Sequence, residues 1–144
     1  MTESAVPFRV RIPVRVTDLD AQLHVTGSAY QQYADHARFA CVAAAGVSVP
    51  DLLAAGLGPV NLELNVRYHR ELRADDTVEI DCRWTWSGGK TYRVEHTLTR
   101  DDGEVAATVS YVAGLLDLGE RKLVADPARV WAEFAKDHAL LGLA

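Results

Sequence analysis

From Phe8 onward, Phe8, Val10, Ile12, Val14 and Val16 alternate with Arg9, Arg11, Pro13, Arg15 and Thr17. A period of two sends successive side chains to opposite faces and predicts a half-buried strand. Pro13 brings no N–H to a ladder, which marks an edge position or a bulge. The period then changes. Ser28 to about Ala45 predicts a long helix, capped by Thr26 or Ser28 and ended by Gly46. Tyr30, Tyr33, Ala34 and Ala37 form an apolar stripe in its first half. Its second half, Phe39 to Ala45, has no polar side chain and is expected to be buried on every side. A short helix follows at Pro50 to Ala55, stopped by Gly56 and Gly58.

Four more strands are predicted, at 60–69, 78–86, 91–100 and 105–116. Asp75-Asp76, Ser87-Gly88-Gly89 and Asp101-Asp102-Gly103 supply the turns between them. Pro127 to His138 reads as a C-terminal helix. Strand, buried helix, four strands and terminal helix amount to an α+β class with a mainly antiparallel sheet.

At 144 residues the chain supports one core and reads as a single domain over 1–144. A net charge of −5 argues against nucleic acid as a partner, and disfavours an anionic membrane surface. Met1 to Ala5 is polar and shows no signal peptide, and no apolar run approaches the ~20 residues of a membrane span. A cytoplasmic protein is expected. Cys41 and Cys82 sit inside apolar patterns and read as buried small hydrophobes. No cluster has metal-ligand spacing, so neither a metal nor a cofactor is expected. The chain lacks a Gly-x-Ser-x-Gly elbow, which argues against a Ser-His-Asp hydrolase.

The most informative stretch is Val14-Arg15-Val16-Thr17-Asp18-Leu19-Asp20-Ala21-Gln22-Leu23-His24-Val25, followed by Tyr30. It runs from the strand through an Asp-x-Asp-x-x-x-His turn into the helix. Two carboxylates and an imidazole thus precede a helix N-terminus, where free N–H groups and the positive dipole end can stabilise an oxyanion. This stretch resembles the hotdog-fold acyl-CoA thioesterases of the 4-hydroxybenzoyl-CoA thioesterase type. It is also similar to the Asp-Leu-Asp-x-x-x-His-Val segment of plant acyl-acyl-carrier-protein thioesterases. Tyr30, Tyr33, Asp35 and Ala37-Arg38 follow at family-like offsets. The resemblance spans roughly 8–116. It implies a hotdog fold, an antiparallel sheet of five to six strands wrapped around a long central helix. It implies hydrolysis of an acyl-CoA or acyl-carrier-protein thioester, by a homodimer or homotetramer with sites at the subunit interface. A hydratase or dehydratase acting on acyl thioesters, and a non-catalytic acyl-thioester binding module, are the alternative readings.

The resemblance assigns the catalytic carboxylate to Asp20, as nucleophile or general base. The same residue could serve as a turn or capping Asp. His24 could polarise the carbonyl, shuttle a proton or hold the acid, or make a structural hydrogen bond. Gln22 matches an Asn near the reaction centre of the plant-type enzymes; a solvated loop Gln is the other reading. Gly27 matches a position whose backbone N–H binds the thioester oxygen, glycine permitting close approach. Leu23 stands where the family commonly has glycine, and Thr26-Gly27 where Asn-Asn follows His-Val.

For substrate contacts the candidates are Asp18, Tyr30, Asp35, Phe39 and Lys90. Asp18 either shares a site with Asp20 or orients the loop. Asp35 has Arg38 at i+3, an ordinary helical ion pair. CoA phosphates need cations, available at Arg67, Arg70, Arg73, Lys90 and Arg93, with Ser87-Gly88-Gly89-Lys90 as a candidate phosphate turn. The acyl pocket is expected beside Phe39, Leu52, Leu53 and Leu57. His96 shares a face with Tyr92, Val94 and Leu98 and reads as a core or interface histidine.

Overall fold

The alternation that starts at Phe8 forms β1 (Phe8–Pro13), which stops earlier than its pattern. Its ladder runs to Pro13, Val14 N–H still donates to the Asp76 carbonyl at 2.9 Å, and Val16–Asp18 then coil into a single 3₁₀ turn. Val16, expected on the inner face, is 85% exposed. The computed structural model describes residues 7–143, so the polar stretch 1–5 weighed for a signal peptide lies outside it. After the turn come α1 (Gly27–Ala44), α2 (Val49–Ala54), β2 (Leu57–Tyr68), β3 (Thr77–Trp86), β4 (Thr91–Thr99), β5 (Val105–Asp117), β6 (Lys122–Leu123) and α3 (Pro127–Phe134).

All strand pairs are antiparallel, in the order β1-β3-β4-β5-β2, with β6 on the end of β5. This is the α+β, helix-on-curled-sheet arrangement expected. β1 and Pro13 lie on one edge, as a residue without an N–H requires. The two-residue β6 has no counterpart in the sequence reading, because so short a strand shows no period. Alternation in the central strands aims Val78, Ile80, Tyr92, Val94, Leu98, Val109 and Tyr111 inward, all nearly fully buried. Ala29, Ala34 and Ala37 of α1 lie against them at 2% exposure or less, small enough to let the helix settle close to the sheet.

Beyond Ala37 the helix departs from expectation. Cys41, Val42 and Ala45 are buried, but Phe39 is 60% exposed and Ala43 and Ala44 are also exposed. One flank of α1 therefore has no cover among the described residues. α3 is shorter than its pattern because Lys136 and Asp137 donate their N–H groups to the Ala45 carbonyl at the end of α1. Cys41 and Cys82 are both free and buried, as expected of small hydrophobes.

β2 is the other edge strand. Its outer edge is unpaired among the described residues, and Leu62, Leu64 and Tyr68 are 47%, 42% and 59% exposed. The ladder to β5 shifts register between Asn61 and Glu63.

Candidate active site

The loop between the 3₁₀ turn and α1 is a small hairpin, closed by a Leu19–Val25 bridge. Asp20 organises its tip. One carboxylate oxygen, Oδ1, accepts the N–H groups of Gln22 at 2.8 Å and His24 at 3.0 Å. The Asp20 N–H donates to the His24 carbonyl at 2.8 Å, and Leu23 N–H returns to the Asp20 carbonyl at 3.0 Å. These bonds hold Leu23 at φ 63°, the left-handed region that glycine occupies without cost. A leucine thus takes up the backbone shape that glycine would favour here. The second carboxylate oxygen of Asp20 has no partner among the described residues, and the residue is exposed.

Asp18 lies inside, 3% exposed. It accepts from Arg15 N–H (3.0 Å), Arg15 Nε (3.2 Å), Arg15 Nη2 (3.2 Å) and Tyr33 O–H (2.6 Å). Burial pushes its pKa up, but the Arg15 and Tyr33 hydrogen bonds outweigh burial and hold the carboxyl below the usual range. The Thr26 N–H donates to the Asp18 carbonyl at 2.8 Å, tying the loop to the start of α1. With both oxygens engaged and the side chain enclosed, a substrate contact at Asp18 is not what this geometry offers. The residue orients the loop.

Thr26 caps α1 by backbone geometry alone, without a side-chain bond. The Gly27 and Ser28 N–H groups have no acceptor among the described residues, as the first turn of a helix leaves them. A Cβ on Gly27 would lie 3.2 Å from the Tyr68 hydroxyl, so Tyr68 leans directly over the helix start. Its ring meets Tyr30 edge-on at 5.0 Å. The Tyr30 hydroxyl accepts the Leu72 N–H at 3.1 Å and stays at the buried floor of an open cleft of about 380 Å³. His69, Arg70 and Glu71 form its far wall. The His24 ring turns to Glu71, with Nε2 3.1 Å from a carboxylate oxygen. Glu71 is also paired with Arg73, whose hydrogen bond lowers the Glu71 pKa. Nothing in the pattern signals Tyr68 or Glu71: the first reads as one more apolar strand position, and the second is far from His24 in sequence.

Asp35, Arg38 and Phe39 belong to a second cleft of about 390 Å³, between α1, α2, the start of β2 and the sheet. Eleven residues of helix separate Gly27 from Arg38, a rise of about 16 Å. The polar side of this cleft satisfies itself. Tyr111 O–H donates to Asp35, Arg38 Nη1 donates to Asn61 Oδ1 at 2.7 Å, and the Arg38–Asp35 pair spans 3.5 Å. The Arg38 guanidinium also rests over the Tyr111 ring at 4.3 Å. The remaining wall is apolar, with Phe39, Leu53, Pro59, Trp84, Tyr92 and Trp131. Of the expected pocket residues, Phe39 and Leu53 line it, while Leu52 is in the core and Leu57 is not on the wall. Trp131 comes from α3, outside the stretch that carries the sequence resemblance.

Lys90 is exposed on the β3–β4 turn and borders neither cleft. Arg73 is engaged by Glu71, whereas Arg70 stands on the wall of the first cleft with no ion pair among the described residues. His96 is buried on β4, its Nδ1 2.8 Å from the Asp81 carbonyl, and burial pushes its pKa down to about 4. Among the described residues no cluster of three or more His, Cys, Asp or Glu could hold a metal, and no helix is long and apolar enough to cross a membrane.

A family model described as the thioesterase-like superfamily matches residues 14–135. No curated protein matches the sequence significantly. Among solved structures, a 1,4-dihydroxy-2-naphthoyl-CoA thioesterase from Synechocystis superposes with a TM-score of 0.81 at 14% identity, over 94% of this chain and 96% of that one. A Staphylococcus aureus protein solved in complex with CoA gives 0.81 at 17% identity, over 99% and 90%. The 12:0-ACP thioesterase from Umbellularia californica gives 0.78 at 20% identity, over 88% of this chain and 48% of that one. At these identities the likeness is one of fold.

Proposed function

The chain belongs to the thioesterase-like superfamily and is thereby a thioester hydrolase; we propose that its substrates are acyl-CoA thioesters and that the Asp20 end of α1 performs the cleavage. The carrying observation is a loop that holds an exposed carboxylate, one oxygen unengaged among the described residues, just ahead of a helix whose Gly27 and Ser28 N–H groups are unpaired among those residues. Thioester hydrolysis needs those two things: a group that attacks the carbonyl or activates water, and donors for the oxyanion that forms.

In this reading the thioester carbonyl lies at the Gly27 and Ser28 N–H groups, where the helix dipole adds to the two donors. Asp20 uses its free oxygen either to take a proton from water or to attack directly. The tetrahedral intermediate collapses, the C–S bond breaks, and the thiolate leaves and takes up a proton as free CoA; attack by water gives the carboxylic acid at once, whereas direct attack leaves a mixed anhydride on Asp20 that water then hydrolyses to the acid and the free Asp20 carboxylate. His24 is aimed at Glu71 rather than at Asp20, which suits it to deliver that proton or to position the loop. Tyr68 borders the site as a further donor, while Gln22 sits at the loop tip with its backbone N–H on Asp20. Arg70, with no ion pair among the described residues, is available to CoA phosphate.

The second cleft is the natural acyl pocket, but along the strand its Gly58–Asn61 rim is far from Tyr68. Seven residue steps of β2 separate Asn61 from Tyr68, roughly 23 Å. A second copy of the chain, paired antiparallel along the open β2 edge about its centre, brings the Tyr68–Gly27 end of one protomer beside the Leu57 end of the other. Such a dimer also covers exposed Leu62 and Leu64 and the open flank of α1 at Phe39.

The test is thiol release from a panel of acyl-CoA and acyl-carrier-protein thioesters of different chain length and ring content. Turnover above background on at least one acyl-CoA is expected. A folded protein that binds but does not cleave any of them would mark a binding module and overturn the reading.

A further inference from the structure

The second cleft runs from an exposed mouth to a closed inner end. Phe39, Leu53, Pro59 and Asn61 frame the mouth and are exposed, whereas Tyr92, Ala113 and Trp131 are buried at the inner end. Tyr92 and Ala113 pair across β4 and β5 in the sheet, so their place is set by the ladder. Trp131 is set otherwise. It is carried by α3, which is fastened at its ends. The Asp126 side chain accepts the Arg129 N–H at 3.3 Å, and the Lys136 and Asp137 N–H groups donate to the Ala45 carbonyl at 2.8 and 3.0 Å. From this helix the Trp131 indole reaches the cleft and is only 1% exposed. It meets Trp84 edge-on at 5.5 Å and Tyr92 edge-on at 6.2 Å.

The indole Nε1 is enclosed and has no hydrogen-bond partner among the described residues. A buried unpaired donor is costly, and a phenyl ring in the same place would avoid it. Packing holds the ring, and what an indole adds over a phenyl is bulk at the end of the cleft. We infer that Trp131 sets the depth of this cleft, and with it the longest straight acyl chain the protein accepts. The inference rests on the thioesterase reading above, in which this cleft takes the acyl group, and adds to it the residue that limits chain length. In the antiparallel pairing described above, the mouth faces the Gly27 end of the other protomer. The chain then enters with its thioester at the mouth and its terminal methyl toward Trp131. Each methylene that passes into the apolar cleft gains about fourfold until the chain meets the indole; one more must displace a packed ring or stay in water.

The experiment measures kcat/KM for straight-chain esters from butanoyl- to hexadecanoyl-CoA in the wild type, Trp131→Phe and Trp131→Ala. In the wild type the values should climb by about fourfold per methylene and then break. Trp131→Ala should move the break outward by about two carbons, so that the ester about two carbons past the wild-type break gains roughly fifteenfold relative to the ester at the break. Trp131→Phe should move it the same way by less. Should Trp131→Ala fail to fold, Trp131→Phe, which keeps an aromatic ring and removes the unpaired donor, decides. A break that stays in place in the folded variants, or an equal loss on every ester, overturns the proposal and leaves the thioesterase reading standing. If no ester is cleaved, the hydrolytic reading has failed separately. Calorimetric titration with the free fatty acids of the same lengths, below their micelle concentrations, then decides the cleft alone. A length limit that moves outward in the Trp131 variants supports the proposal; a fixed limit or absent binding overturns it.

Discussion

Asp20→Asn separates chemistry from architecture more cleanly than any other substitution in this protein. The Asp20 Oδ1 atom holds two backbone N–H groups of its own loop, and an asparagine Oδ1 can accept both. The loop should keep its shape, and the thermal midpoint should stay close to that of the wild type. The negative charge, and with it the capacity to attack or to deprotonate water, is gone. Positioned acid–base groups contribute on the order of 10²-fold or more, or about 2.7 kcal/mol of barrier for each 10². The expected result is a fall of at least about 10² in kcat with little change in KM, read by thiol release. Asp20→Ala provides the control. It removes both loop hydrogen bonds to Oδ1, which contribute about 0.5–1.5 kcal/mol each, and it frees Leu23 from φ 63°. It should therefore lose activity and stability together. An Asp20→Asn enzyme within a few-fold of wild-type kcat would refute the argument, and would reduce Asp20 to the keeper of the turn.

Three further outcomes follow from the buried groups and the open edge. Asp18 is held below the usual carboxylate range, so its contribution is complete above the unfolded pKa of ~3.9 and is lost as pH falls through the lower folded value. Asp18→Asn should cost about 1–3 kcal/mol at neutral pH in thermal or urea melts, with the gap to wild type narrowing below about pH 4; a constant gap would count against the ion pair. His96 titrates near 4 in the fold and near ~6.5 when unfolded, so the unfolded chain binds the additional proton between those values. Stability should fall by up to about 3 kcal/mol as pH drops from 6.5 toward 4, and His96→Leu should flatten that slope; parallel slopes would remove His96 as the cause. Sedimentation should find a dimer at micromolar concentration and a shift toward monomer in Leu64→Lys, which puts a charge on the β2 edge; a monomeric wild type would end the edge-pairing proposal.

Local features were readable where a period or a turn residue carries them. The inward faces of β3, β4 and β5 are the ones their alternation predicts, because the side-chain period of a strand is set by the backbone itself. Val16 shows why alternation alone is not enough: its period is real but it has no ladder neighbour, the last cross-strand bond being Val14 N–H to Asp76 before the 3₁₀ turn begins. The flank of α1 at Phe39 was misread for a related reason. Composition states that a surface is apolar, not which chain will cover it. At the site, the Asp20 turn and the Gly27 helix start were visible as a local motif. The Glu71 partner of His24 and the Tyr68 hydroxyl over Gly27 were not, because β2 brings them there from some forty residues away and no spacing rule links such positions.

Leu23 bears on how such a loop can change over generations. A left-handed residue is usually read as a demand for glycine, yet here the backbone shape is imposed by the Asp20 carboxylate from outside the residue that adopts it. The conformational cost of leucine, about 1–2 kcal/mol, is partly offset because glycine would leave the unfolded chain more freedom to lose. The position is therefore free to drift between glycine and larger side chains at little net cost, while the residue that enforces the turn is not. One carboxylate carries both the shape of the loop and its proposed chemistry. Lineages can shed the glycine signature and keep the fold of the loop, whereas replacing Asp20 by a residue without that acceptor oxygen removes shape and chemistry at a single step.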